Sequence, residues 1–309
     1  MSIGLLFPGQ GAQTVGMGAE LTQRSPVARE LFERASHTLG FDLLELCAEG
    51  PAEQLNRTEF SQPALFVHAL AALRQLEEER PDLWNHVAAV AGLSLGEYTA
   101  VAAAGGIDFE AGLRLVQIRG LAMQAAADAV SSGMSSILGM EQEQLAAVCE
   151  QATSSFDQAR GGAELVRVAN LLCPGNIAIS GHTQALQKAE DLSLEAGAFK
   201  VVRLQVAGAF HTPVMQPAVE KLSSALAAVE FQTTRVPIYS NVDAAPHTQP
   251  ADFRRLLAQQ VVEPVRWQAS LERMISDGCE RFIEIGAGRV LAGTLKRINR
   301  KIACENVGE

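Results

Sequence analysis

The stretch from Val87 through Ala91 to Gly92-Leu93-Ser94-Leu95-Gly96 and on to Glu97-Tyr98-Thr99-Ala100-Val101-Ala102 constrains the fold more than any other part of the chain. An apolar run suited to a buried strand meets a run of helical character, and only five residues separate them. So sharp a strand-to-helix turn needs glycine on both sides of its tip, because side chains there would collide with the neighbouring strand and helix. Turns of this kind belong to layered α/β proteins and lift the hydroxyl of the tip residue, Ser94, to the end of the sheet. The helix N-terminus behind it offers free N–H groups and positive potential to a developing oxyanion. Ser94 is therefore a candidate nucleophile. A three-residue pattern with free spacers also arises by chance, so the flanking strand and helix carry much of the weight.

The net charge of −10 argues against a nucleic-acid partner, which needs a basic surface. An acidic balance does not exclude an anionic substrate, since one arginine can dominate a pocket. The five cysteines, Cys47, Cys149, Cys173, Cys279 and Cys304, are scattered, with no C-x-x-C pair. That pattern fits neither a zinc site nor a disulfide framework and points to a reducing compartment. Met1-Ser2-Ile3-Gly4-Leu5-Leu6-Phe7 has no basic leader, and no apolar run approaches ~18 residues. A cytoplasmic protein without metal, cofactor or membrane contact is the expectation.

Along the chain, Ile3 to Phe7 reads as a strand, followed by a Gly/Gln-rich loop, and helical patterns fill Pro26 to Leu39, Gln62 to Gln75 and Phe109 to Asp128. The middle of the chain then reads strand, helix, strand, strand, helix, strand: Met134 to Gly139, Glu141 to Ala152, Leu165 to Leu172, Asn176 to Ser180, Thr183 to Ala196 and Lys200 to Val206. That order is the ferredoxin-like βαββαβ arrangement. Residues 131–206 are thus expected to form a small inserted domain, and residues 1–130 and 207–309 a large α/β-hydrolase-like domain with a mostly parallel sheet. In the latter, Pro213 to Val229, Phe253 to Gln260, Val265 to Ser276 and Val290 to Ile298 read as helices, and Val236 to Ser240 and Arg281 to Ile285 as strands.

Two loops imitate nucleotide sites and fail. Gly9-Gln10-Gly11 and Gly286-Ala287-Gly288 each follow a strand, but the third glycine is replaced by Thr14 and Leu291, and neither loop continues into Gly-Lys-Ser/Thr.

A serine nucleophile needs a base. Of six histidines, His37, His68, His86, His182 and His247 lie in helices, polar loops or a turn. His211 stands apart in Gly208-Ala209-Phe210-His211-Thr212-Pro213, where small residues leave room for a ligand. Thr212 reads as a helix N-cap and Pro213 as its first residue, which leaves a structural capping role open for His211 as well. Arg119 sits in the apolar helical stretch Leu113 to Met123, with Leu115, Val116 and Met123 on its face. A buried guanidinium is costly without a partner. A distant structural salt bridge and a substrate carboxylate held by two parallel N–H···O bonds both remain open. Periodicity does not separate Arg119 from Arg114.

With these residues in view, the chain resembles the malonyl-CoA:acyl carrier protein transacylases of type II fatty acid synthesis over nearly its whole length. Phe7-Pro8-Gly9-Gln10-Gly11-Ala12-Gln13 is similar to the family's opening signature, GLSLGEYTA to its elbow, QIRGLAMQ to its carboxylate-binding helix and GAFHTPVM to its histidine segment. SNVDA and EIGAGRVL resemble later landmarks. The resemblance implies Ser94 as nucleophile, His211 as base and the amides of Leu95 and Gln10 as the oxyanion hole. It implies Arg119 as the clamp on a malonyl carboxylate, and a main-chain carbonyl at Gln260, rather than an aspartate, orienting the base. Met123, Asn170 and Phe210 join Arg119 as substrate-binding residues, Phe210 as the group that crowds an α-methyl substituent. Leu93 departs from the histidine usual before the nucleophile. The implied reaction is malonyl transfer from malonyl-CoA, a substrate rather than a cofactor, to acyl carrier protein by a monomer. An acyl-thioesterase, a polyketide acyltransferase and a silent carrier-binding module are the alternatives. Lys188, Lys296, Arg297, Arg300 and Lys301 are candidate carrier contacts, or simply solvated charge.

Overall fold

The computed structural model describes residues 2–156 and 164–308. Among these residues ten strands form two sheets. The larger holds β1 (Ile3–Phe7), β2 (Val87–Gly92), β7 (Ile238–Tyr239), β8 (Pro246–His247), β9 (Arg281–Ile285) and β10 (Ala303–Val307) in the order β10-β9-β1-β2-β7-β8. Every neighbouring pair is parallel except β7 and β8. Parallel strands joined by helical crossovers are buried on both faces. Side chains here accordingly alternate between two cores. Leu5, Phe7 and Val90 pack under the helices Thr58–Glu79 and Phe109–Asp128, while Leu6, Ala89 and Ala91 face Trp267, Leu271, Met274, Leu291 and Leu295.

The smaller sheet holds β3 (Ser132–Leu138), β4 (Val166–Cys173), β5 (Asn176–His182) and β6 (Lys200–Arg203) in the order β4-β5-β3-β6, all antiparallel. Helices Gln142–Ser154 and Thr183–Glu195 cover one face around Ile137, Leu145, Ile177, Ile179 and Leu186. This is the connectivity expected of a ferredoxin-like unit. β4 is tied to the segment that leads into the helix Trp267–Ser276. Leu171 N–H donates to Val265 O at 2.9 Å, and Val265 N–H donates to Ala169 O at 2.8 Å.

Several expectations need correction. β10 and β8 went unread because they are edge strands of mixed composition with little buried surface. Short helices at Ala19–Arg24, Leu43–Glu49 and Ala52–Leu55 were also missed, being too short to show a period. The helix expected from Pro213 begins as a 3₁₀ turn, Pro213–Met215, before the α-helix Gln216–Ala228. Thr212 does not cap it with its side chain; its hydroxyl donates back to Ala209 O at 2.7 Å. Among the described residues no helix is long and apolar enough to cross a membrane.

Candidate active site

The elbow forms where the glycine spacing placed it. β2 ends at Gly92 and a helix runs Leu95–Ala103. A Cβ on Gly92 would lie 1.9 Å from the Gly96 carbonyl carbon, and one on Gly96 would lie 2.1 Å from Phe7 O, so neither position tolerates a side chain. Between them Ser94 adopts φ 51° and ψ −105°, a strained backbone for a residue with a Cβ. Its main-chain groups are held from outside the turn. Asn241 Oδ1 accepts from Ser94 N–H at 2.7 Å, Asn241 Nδ2 donates to Gly92 O at 2.8 Å, and Gln260 Nε2 donates to Ser94 O at 2.9 Å.

His211 comes from the loop after the small sheet and also carries a positive φ, 61°. Its Nε2 lies 2.9 Å from Ser94 Oγ and its Nδ1 lies 2.7 Å from the main-chain oxygen of Gln260. A carbonyl only accepts, so Nδ1 bears the proton and Nε2 is the free acceptor facing the serine hydroxyl. Burial, and after it the Arg119 cation, push the imidazole down to about 4, which keeps it neutral at physiological pH.

Arg119 and Arg114 part company in the structure. Arg114 is exposed, whereas Arg119 is 1% exposed at the base of the site. Arg119 Nη2 donates to Ser94 Oγ and to Gln260 Oε1, both at 3.0 Å, and the guanidinium lies 5.2 Å from the centre of the Tyr98 ring. No carboxylate forms an ion pair with it among the described residues, and its Nε has no hydrogen-bond partner. A distant salt bridge is thus not what holds this cation.

The Leu95 amide is the first N–H of its helix and has no intrahelical acceptor. Gln10 lies in the loop that follows β1. That loop presses on the elbow, since a Cβ on Gly9 would lie 2.3 Å from Leu93 O. Leu93 packs into the apolar cluster of Tyr239, Val265 and Trp267, a setting in which a histidine would be a buried polar group. Met123 is buried one turn beyond Arg119, and its sulfur accepts from Gln62 Nε2 at 3.7 Å. Asn170 lies on β4 beside the junction with Val265, and its Oδ1 is buried without a partner. Phe210 is buried next to His211. Of the basic residues, Lys188, Lys296, Arg297, Arg300 and Lys301 are all exposed, and Arg297 donates to Pro174 O at 3.0 Å.

Three contributors escaped the sequence reading: Glu97, Tyr98 and Asn241. Glu97 and Tyr98 lie three and four residues after Ser94 in the first turn of the elbow helix, and Asn241 lies in the SNVDA landmark, to which no role was attached. Glu97 is 2% exposed and accepts from Asn241 N–H at 3.2 Å and from Gln260 Nε2. Burial raises it to about 7 against the pull of bonds from Gln260, Ser240 and Asn241.

A serine with a neutral imidazole on its hydroxyl, a helix-end amide beside it and a cation beneath it, on a doubly covered, mostly parallel sheet, is a site built for acyl chemistry through a serine ester, the class that joins serine acyltransferases and hydrolases. Residues 5–307 match the acyl transferase domain family. The chain is 41% identical over 302 residues to the malonyl CoA-acyl carrier protein transacylase of Bacillus subtilis, covering 97% of this chain and 91% of that one. It is 42% identical over 299 residues to the human mitochondrial malonyl-CoA-acyl carrier protein transacylase, covering 96% and 76%. Among solved structures, that of the transacylase from Coxiella burnetii matches with a TM-score of 0.93 at 34% identity, covering 100% of this chain and 94% of that one. A malonyl-transacylase bound to the acyl carrier protein of a type II polyketide synthase matches with a TM-score of 0.94 at 35% identity, covering 100% and 96%. The chain belongs to the acyl transferase family and, within it, to the malonyl-CoA–acyl carrier protein transacylases.

Proposed function

We propose that this chain moves a malonyl group from malonyl-CoA to the phosphopantetheine thiol of an acyl carrier protein, through an ester on Ser94, and so supplies fatty acid elongation. The observation that carries this reading is the buried Arg119 guanidinium, 3.0 Å from Ser94 Oγ and without a carboxylate of its own. A nucleophile that acted on any acyl group would gain nothing from a desolvated cation at that distance; a substrate that brings its own carboxylate would.

His211 Nε2 takes the Ser94 proton as Oγ attacks the thioester carbon. The oxyanion rests on the amides of Leu95 and Gln10, each worth about 2.7–4 kcal/mol in comparable sites. Collapse breaks the C–S bond, and the imidazolium returns its proton to the leaving CoA sulfur. The carrier thiol then gives its proton to His211 as its sulfur attacks the malonyl ester. Ser94 Oγ leaves and recovers a proton from Nε2, so the enzyme ends as it began. Gln260 keeps the imidazole in the required tautomer throughout. Asn170, with an unpartnered buried oxygen, and Met123 and Phe210 line the acyl and pantetheine space. Ser94, His211, Arg119 and Gln260 meet within one chain, so a single copy carries the whole constellation, in keeping with a monomer.

Intact-mass analysis after brief exposure to malonyl-CoA tests the reading. A malonyl adduct on Ser94 that disappears on adding carrier protein is expected. Steady release of free malonate without transfer would instead identify a thioesterase.

A further inference from the structure

Beneath the elbow lies a carboxyl group that no step of the reaction uses. Glu97 sits three residues after Ser94 on the elbow helix, buried, and its Oε2 accepts from both Gln260 Nε2 and Asn241 N–H. Its two partners, the Asn241 main-chain N–H and the Gln260 side chain, belong to the residues whose side chains hold the strained Ser94 backbone, Asn241 at the N–H and Gln260 at the carbonyl. Gln260 has two further duties: its Oε1 takes Arg119 and its main-chain oxygen takes His211.

We infer that Glu97 is a positioning residue for acyl transfer, whose carboxylate fixes the direction of the Gln260 amide and thereby the places of Arg119 and His211 around Ser94. The argument is one of donor and acceptor count. An amide presents oxygen on one side and NH₂ on the other, and the guanidinium of Arg119 can only donate. Gln260 must therefore turn its oxygen to Arg119 and its nitrogen to the opposite side. There the nitrogen meets three oxygens: Ser94 O at 2.9 Å, Asn241 Oδ1 at 3.4 Å and Glu97 Oε2. An ionised carboxylate only accepts, so it enforces this orientation. A protonated one brings a donor into a pocket where Gln260, Asn241 and Ser240 already donate to it.

The charged and titratable groups around Glu97 come from several elements. Asp243 lies just beyond β7, Arg119 lies on the helix Phe109–Asp128, and Tyr98 is its neighbour on the elbow helix. Asp243 and burial favour the neutral form of Glu97, and the three hydrogen bonds favour the charged one. The balance, at about 7, lies well above that of His211, at about 4. Loss of the carboxylate's hold is therefore separable in pH from protonation of the base.

This inference rests on the malonyl-transfer reading, and one experiment tells their failures apart. Single-turnover acylation of Ser94 by saturating malonyl-CoA is followed by quenched-flow intact mass from pH 5 to 8.5 in the wild type and in Glu97→Gln, with thermal unfolding of both. The expected wild-type rate falls through an inflection near 7 on acidification. The expected variant stays folded, acylates about 10²-fold more slowly at pH 8, as for a small misplacement of reacting groups, and has lost that inflection. A variant with the wild-type rate, or one that keeps the inflection, overturns the inference while leaving malonyl transfer intact. If Glu97→Gln does not fold, the wild-type profile decides: a flat rate from pH 8 to 5.5 overturns it. A wild type that forms no acyl-Ser94 at any pH fails the parent reading instead.

Discussion

Arg119 Nη2 lies 3.0 Å from Ser94 Oγ, although 25 positions separate the two residues and they sit on different helical elements. A cation that close, with no carboxylate of its own, offers an anchor to any acyl group that carries a carboxylate at its far end.

Replacing Arg119 with alanine is expected to abolish malonyl transfer and to spare or raise transfer from acetyl-CoA. Removing one partner of a buried charge pair costs about 2–5 kcal/mol, or roughly 30-fold to several thousand-fold in rate. The measurement is the rate of Ser94 acylation with the two thioesters. Undiminished malonyl acylation in the variant would remove Arg119 from substrate recognition.

His211→Asn is expected to lower transfer by about 10²–10⁴-fold, the usual contribution of a general base. It should also change the response of stability to acid. The imidazole titrates near 6.5 when free and about 4 when folded, so between those values the unfolded chain binds more protons. Stability therefore drains from the wild type as pH falls through that window, and the variant lacks this loss. Urea unfolding at pH 7 and pH 4.5 should show the balance shifting toward the variant on acidification. A shift toward the wild type would mean that the folded imidazole is not held neutral.

Gly96→Ala is expected to be more damaging than an alanine scan of the elbow helix would suggest. Its Cβ would press on Phe7 O at 2.1 Å, a main-chain atom of the central strand that cannot swing aside. Upwards of about 3 kcal/mol of stability should be lost, at the high end for an overpacked site. Circular dichroism melts of the variant beside Ala100→Gly, which leaves that contact alone, would expose the difference.

Phe210→Ala is expected to relax selection against methylmalonyl-CoA. Phe210 is buried beside the base, and a pocket distinguishes one methyl group by about 1–3 kcal/mol, or 10–200-fold. Competition between the two thioesters, read as the ratio of adduct masses on Ser94, gives the selectivity directly. An unchanged ratio places the methyl-sensing surface elsewhere.

The glycine-framed turn, the long apolar helices and the strand–helix order of the small sheet were legible because each rests on local properties. Strain at a turn, a helical period and the turn residues between elements are written in neighbouring residues. The helix Pro26–Leu39 and the closing helix Val290–Ile298 begin and end where the sequence placed them. β10 was not legible, because a partly exposed edge strand is specified by its pairing with β9 more than by its own residues.

The sequence by itself determined which residues are chemically able to act: a serine that only a strand-to-helix bend can present, a histidine in an open loop, and an arginine in an apolar helix. Its periodicity did not separate Arg119 from Arg114, which only the family resemblance did, and it was silent on Glu97 and Asn241. The physical reasons for these roles belong to the tertiary structure. Burial that gives a charge its worth, and a hydrogen-bond direction that sets an amide or a tautomer, exist only once segments 19 to 166 residues apart meet around one hydroxyl.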